Sequence, residues 1–104
     1  MMTQSDVRTG ATSTPNINQL MQLAALRIAA TIDTLTERGF TVVGIEFSSG
    51  SKPTIQIQNC AECTDLVERG EATYYRTGVS GAERYRTGQF KVGEIRVLWT
   101  EKGH

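Results

Sequence analysis

The sequence predicts an α+β fold on three observations. Apolar residues recur every three or four positions from Ile17 to Leu35, the period of one helical face. From Phe40 onward the period becomes two, in five short segments. Glycine-bearing dipeptides join most of those segments tightly. The predicted order is α-β-β-α-β-β-β. A hairpin and a three-stranded meander form an antiparallel sheet on one long N-terminal helix, with one face toward solvent. The 104 residues suit one domain, expected over residues 15–104 behind a flexible N-terminal tail at 1–14.

The first helix is expected over 15–38, where Thr14 can cap and Pro15 suits the first position. Ile17, Leu20, Met21, Ala24, Ile28, Ile32 and Leu35 form its stripe, which Leu23 and Leu26 widen. Gly39 supplies its stop. Val43, Ile45 and Phe47 then alternate, as do Ile55 and Ile57. Pairing Ile45 with Ile55 and Val43 with Ile57 leaves Ser49-Gly50-Ser51 as the hairpin loop. Asn59, three residues before Glu62, reads as the cap of a short second helix. Cys60, Cys63, Leu66 and Val67 share its inner face, and it ends at Arg69-Gly70. The meander strands are expected at 73–79, 82–91 and 94–101, turning at Ser80-Gly81 and Val92-Gly93. The second turn would pair Lys91 with Glu94, Phe90 with Ile95 and Arg84 with Glu101.

Charge and composition narrow the function. Lys+Arg and Asp+Glu number 11 each. Zero net charge argues against a duplex-DNA binder, which needs excess cations, and against an acidic DNA mimic. No basic segment leads into an apolar run at Met1–Asp6, and the apolar stretch at 20–32 is broken by Gln22, Arg27 and Thr31. A cytoplasmic protein with no membrane partner is expected, its two cysteines reduced. The lone histidine is His104, no phosphate-binding glycine loop is present, and Glu46 is the best general-base candidate but lacks a partner. Cys60-Ala61-Glu62-Cys63 lacks the further ligands zinc needs, so the thiols read as core residues. No catalytic residue, metal or cofactor is expected.

One motif points to binding. Tyr74-Tyr75-Arg76-Thr77-Gly78 is nearly repeated as Arg84-Tyr85-Arg86-Thr87-Gly88, on two arms of one hairpin. With a Ser80-Gly81 turn, Arg76 lies opposite Tyr85 and Tyr75 opposite Arg86. The expected solvent face then presents Tyr74, Arg76, Tyr85, Gln89 and Arg96, the candidate partner-binding residues. Tyr75, Arg86, Phe90, Ile95, Val97 and Trp99 face the core. Tyrosine and arginine are enriched at binding hot spots, and the same pairs also stabilise a sheet unaided.

In its size, polar N-terminal tail and α+β layout over residues 15–101, the chain resembles small accessory proteins of tailed phages and prophages, anti-CRISPR inhibitors among them. The resemblance implies stoichiometric inhibition of a host defence protein or nucleoprotein complex in the host cytoplasm. The alternative is a single-stranded nucleic-acid-binding module, with tyrosines stacking on bases while Arg76, Arg96 and Lys91 meet phosphates. A homodimer through an edge strand is the third reading.

Overall fold

The computed structural model describes residues 16–47 and 52–103. Helix α1 (Ile17–Glu37) leads into β1 (Val42–Glu46) and β2 (Thr54–Ile57). Helix α2 (Ala61–Glu68) follows, then β3 (Thr73–Ser80), β4 (Glu83–Val92) and β5 (Ile95–Lys102). All seven expected elements are present and the class is α+β.

The sheet is mixed, which corrects the all-antiparallel expectation. Its order is β1-β2-β5-β4-β3. The hairpins are antiparallel, but β2 joins β5 in parallel through Thr54–Arg96, Ile55–Val97 and Gln56–Leu98. Burial explains why β2 and β5 are interior strands. Ile55 and Val97 are both fully buried, and their strands need neighbours on both sides to satisfy the backbone. One continuous core then forms from Ile28 and Leu35 of α1, Cys63 and Leu66 of α2, and Ile55, Phe90, Val97 and Trp99 of the sheet. Both helices therefore lie on the same side, and among the described residues nothing covers the opposite side.

Local chemistry sets the element ends. Asn16 caps α1 with a reciprocal box: its Oδ1 accepts from the Gln19 amide at 2.8 Å, and its own amide donates to Gln19 Oε1 at 3.0 Å. The expected cap, Thr14, and Pro15 lie outside the described residues, as do residues 1–14 and the Ser49-Gly50-Ser51 loop. Cys60, not Asn59, caps α2, and no side chain bonds there.

Both meander turns sit one residue later than expected, at Gly81-Ala82 and Gly93-Glu94. Gly81 and Gly93 have φ of 64° and 60°, so each takes the first central position, as a II′ turn requires. Pairing slides by two residues in consequence. Arg86 rather than Arg84 opposes Glu101, Val97 rather than Ile95 opposes Phe90, and Lys91 meets Arg96 rather than Glu94. A two-residue slide leaves every side chain on its face.

Two bulges do change faces. Val43 is the extra residue between the Val42–Ile57 and Gly44–Gln56 pairs, so Val42 turns inward in place of Val43. Tyr75 is the extra residue between Tyr74–Gly88 and Arg76–Thr87. That bulge exchanges the two tyrosines. Tyr74 packs edge-on against Trp99 at 5.9 Å, whereas Tyr75 emerges on the uncovered side.

Helix α1 is anchored to the core by its second half only. At 21 residues it spans about 31 Å, yet buries only Ile28, Thr31 and Leu35. A cleft of about 450 Å³ opens where it leaves the sheet, between Ala24, Arg27 and Thr31 on the helix and Pro53, Val92 and Ile95 below. Ahead of that point Ile17, Leu20 and Leu23 are exposed.

Candidate binding surface

The uncovered side of the sheet is a shallow groove of about 990 Å³. Its floor includes Gln56, Thr87, Leu98 and Thr100, and Val43, Tyr75, Arg76 and Tyr85 stand along it. Thr87 and Thr100 meet across the strands, Oγ1 to Oγ1, at 3.4 Å.

Tyr75 is the centre of a cationic cluster. The Arg96 guanidinium lies 4.6 Å from its ring centroid and that of Arg76 lies 5.7 Å away. Arg96 is held by donating its Nε–H to Gln89 Oε1 at 2.7 Å. Lys91 is directly opposite Arg96 on the same face. Like charges so placed destabilise a sheet. Lys102, opposite Tyr85, puts a further cation on this face, toward the other end of β5. The carboxylates on this side, Glu46 and Glu83, stand at its margins, on edge strand β1 and at the tip of the β3–β4 hairpin.

Of the five expected surface residues, Arg76, Tyr85, Gln89 and Arg96 stand on this face. Tyr74 does not: the bulge puts it on the core side, and Tyr75 takes its place.

The near-repeat has a structural meaning. Its two glycines leave room for aromatic rings from the neighbouring strands. A side chain on Gly88 would run into the Trp99 ring, and one on Gly78 into the Tyr85 ring. Gly88 opposes Trp99 on the core side, and Gly78 opposes Tyr85 on the open side. Glycine opposite an aromatic was the sequence signal available for this register.

Behind the groove a buried carboxylate ties the strands together. Glu101 Oε2 accepts from the Tyr74 hydroxyl at 2.8 Å and from Trp99 Nε1 at 2.9 Å. Its Oε1 accepts from Arg86 Nε at 2.9 Å, and the Arg86 guanidinium stacks 3.8 Å from the Tyr74 ring centroid. Burial pushes the Glu101 carboxyl upward, but the bonds from Trp99, Tyr74 and Arg86 outweigh it and hold the group below its ordinary value. Tyr74 shifts upward, through burial and then through its bond to Glu101. Alternation places Glu101 inward, but nothing local announces that three donors meet there.

The thiols stand at the start of α2, with Sγ atoms 3.8 Å apart. Burial chiefly pushes Cys63 up to about 12, so it is a protonated core thiol at neutral pH. Among the described residues, no three His, Cys, Asp or Glu side chains converge as a metal site would need, and no helix is long and apolar enough to cross a membrane.

Residues 8–102 match a family model whose description reads only "Uncharacterised protein". The chain belongs to that family. No curated protein and no solved structure matches it.

Proposed function

We propose that the protein is a non-catalytic binding module that grips an anionic partner surface, on a host protein or nucleoprotein complex, with the open face of its sheet. The observation that carries this reading is the Lys91–Arg96 pair. Two cations directly opposed on an uncovered sheet face cost stability, and a bound anion would offset that cost. Arg76, Tyr75 and Tyr85 beside them are hot-spot residue types on a rigid support. Inhibition of a host defence complex by a phage-encoded protein is the sharpest form of this proposal. The Tyr75–Arg96 stack favours a second reading, in which single-stranded nucleic acid is the ligand, because guanidinium planes and phenol rings both accept bases.

The test is a variant carrying Tyr75→Ala, Arg76→Ala, Tyr85→Ala and Arg96→Ala. It is expected to keep its circular dichroism and to lose partner capture, each truncation weakening binding by about 2 kcal/mol. Undiminished capture by the folded variant rejects the open face as the binding surface. Titrating wild type with a labelled single-stranded oligonucleotide at rising salt separates the two ligands. Steep weakening with salt identifies nucleic acid, and no binding at low salt leaves the protein-surface reading standing.

A further inference from the structure

The core explains only one of the two thiols at the start of α2. Cys63 is fully buried with Leu66, where a small apolar side chain is all that packing asks. Cys60 is half-buried and holds the N-cap position. Serine, threonine, asparagine and aspartate are preferred there, because their oxygens bond the free amides of the first turn. The Cys60 side chain makes no such bond. It meets the other thiol instead, Sγ to Sγ at 3.8 Å. We propose that Cys60 and Cys63 form a thiol–disulfide exchange site, which a low-molecular-weight disulfide converts reversibly to an intramolecular disulfide in the folded protein.

The backbone already holds the pair within bonding range. The Cys63 amide donates to the Cys60 carbonyl at 3.0 Å and closes the first turn of the helix. A turn so closed keeps its outer Cα atoms within about 7 Å, the limit for a disulfide. The Sγ contact shows that both side chains point to the same side. Rotation about their Cα–Cβ bonds can then bring the sulfurs to the bonded length of about 2.05 Å while the helix stays in place.

The setting is also one in which paired cysteines exchange. Strand β2 ends at Ile57 and α2 begins at Ala61, so Cys60-Ala61-Glu62-Cys63 lies where a strand passes into a helix.

Unequal access divides the roles. Cys60 can be reached from solvent and Cys63 cannot. Cys60, as thiolate, attacks one sulfur of the small disulfide, whose S–S bond breaks, and the departing thiolate takes up a proton. Cys63 Sγ then attacks Cys60 Sγ in the mixed disulfide, and its proton goes to the second departing thiolate. Two protein thiols are oxidised by two electrons, and one small disulfide becomes two thiols. Burial chiefly keeps Cys63 protonated, and a charge on Cys60 adds to that, so capping Cys60 removes one obstacle to the second step.

The full chain has two cysteines, so a disulfide within one chain can only be this one. The test equilibrates the folded chain with about 1 mM oxidised and about 0.1 mM reduced glutathione, blocks free thiols with N-ethylmaleimide and reads the intact mass. Most wild-type chains are expected to be two hydrogens lighter and to carry no maleimide. Excess dithiothreitol should restore two blocked thiols. Cys63→Ala is expected to accumulate one glutathione, on Cys60. In Cys60→Ser, which gains a capping hydroxyl, Cys63 should react at least tenfold more slowly than Cys60 does in Cys63→Ala. Near-ultraviolet dichroism of the buried Trp99 verifies the fold throughout. If Cys63→Ala does not fold, the wild type and Cys60→Ser decide. A folded wild type that still takes two maleimides overturns the proposal. So does one that stops at the mixed disulfide, or that bonds only to a second chain. A disulfide that forms only as the Trp99 signal is lost overturns it too, since the unfolded chain would then be what reacts.

Discussion

Gly88 is a vacancy that Trp99 fills, and Gly78 is the equivalent for Tyr85, yet the two should respond differently to a methyl group. At Gly88 an added Cβ meets the body of a fully buried indole, which has nowhere to move. Gly88→Ala is therefore expected to cost about 3 kcal/mol, read as a lowered urea midpoint at unchanged slope. At Gly78 the obstacle is the phenol end of a half-exposed tyrosine that can swing aside. Gly78→Ala should cost about 1 kcal/mol or less. Glu101 makes a prediction about pH. Its carboxyl lies below the ordinary value in the folded state, so the unfolded chain binds the proton more readily. The stabilisation is fully present above the unfolded value of about 4.3 and is lost as pH falls through the folded one. Urea midpoints at pH 7, 5, 4 and 3 should fall most between the last three, and Glu101→Gln should flatten that dependence. The variant is also expected to lose about 2 kcal/mol at pH 7, because a neutral amide replaces the carboxylate facing Arg86.

At the scale of elements, the two bulges and the two glycine turns decide which side chains reach which face. Tyr75 is the extra residue of β3, so deleting it should leave a regular ladder from Tyr74–Gly88 to Arg76–Thr87. The deletion is expected to fold with near-native dichroism and to abolish partner capture, since it removes the ring that Arg96 and Arg76 flank. A deletion that unfolds the protein would show that the bulge itself, with its added twist, is required by the sheet. Much of this level was legible. Helical and strand periods located all seven elements, because burial of one face dictates them. The bulge was not legible, since Tyr74 and Tyr75 are the same residue and either suits either face. The turn positions were nearly so: glycine marked both, but its place within each two-residue loop depends on the sign of φ, which the dipeptide alone leaves open. Four of the five expected surface residues kept their face because the slide was by two.

Over the whole molecule the balanced charge proves to be unevenly placed. Arg76, Arg84, Arg86, Lys91, Arg96 and Lys102 outnumber Glu83, Glu94 and Glu101 in the meander, while Glu62, Asp65, Glu68 and Glu71 gather on and beside α2. A neutral chain can therefore present a positive side, which total charge conceals. The parallel pairing of β2 with β5 was equally hidden, because neither alternation nor turn chemistry reports a contact between strands so far apart in sequence. That seam also bears on the order of events in folding. The β1–β2 hairpin and the β3–β4–β5 meander each close over short connections, but residues 58–94 must be looped before Ile55 can reach Val97. Joining the two halves is the step with the greatest entropic cost and the natural barrier. Ile55→Val and Val97→Ala should accordingly slow refolding in stopped-flow experiments, with φ values of about 0.5 or more. Substitutions that leave refolding untouched and only hasten unfolding would place the union of the halves after the barrier. Until the halves meet, Ile55 and Ile57 sit on a strand whose inner edge is unpaired, so the span before that step is when the chain is most open to pairing with another of its kind.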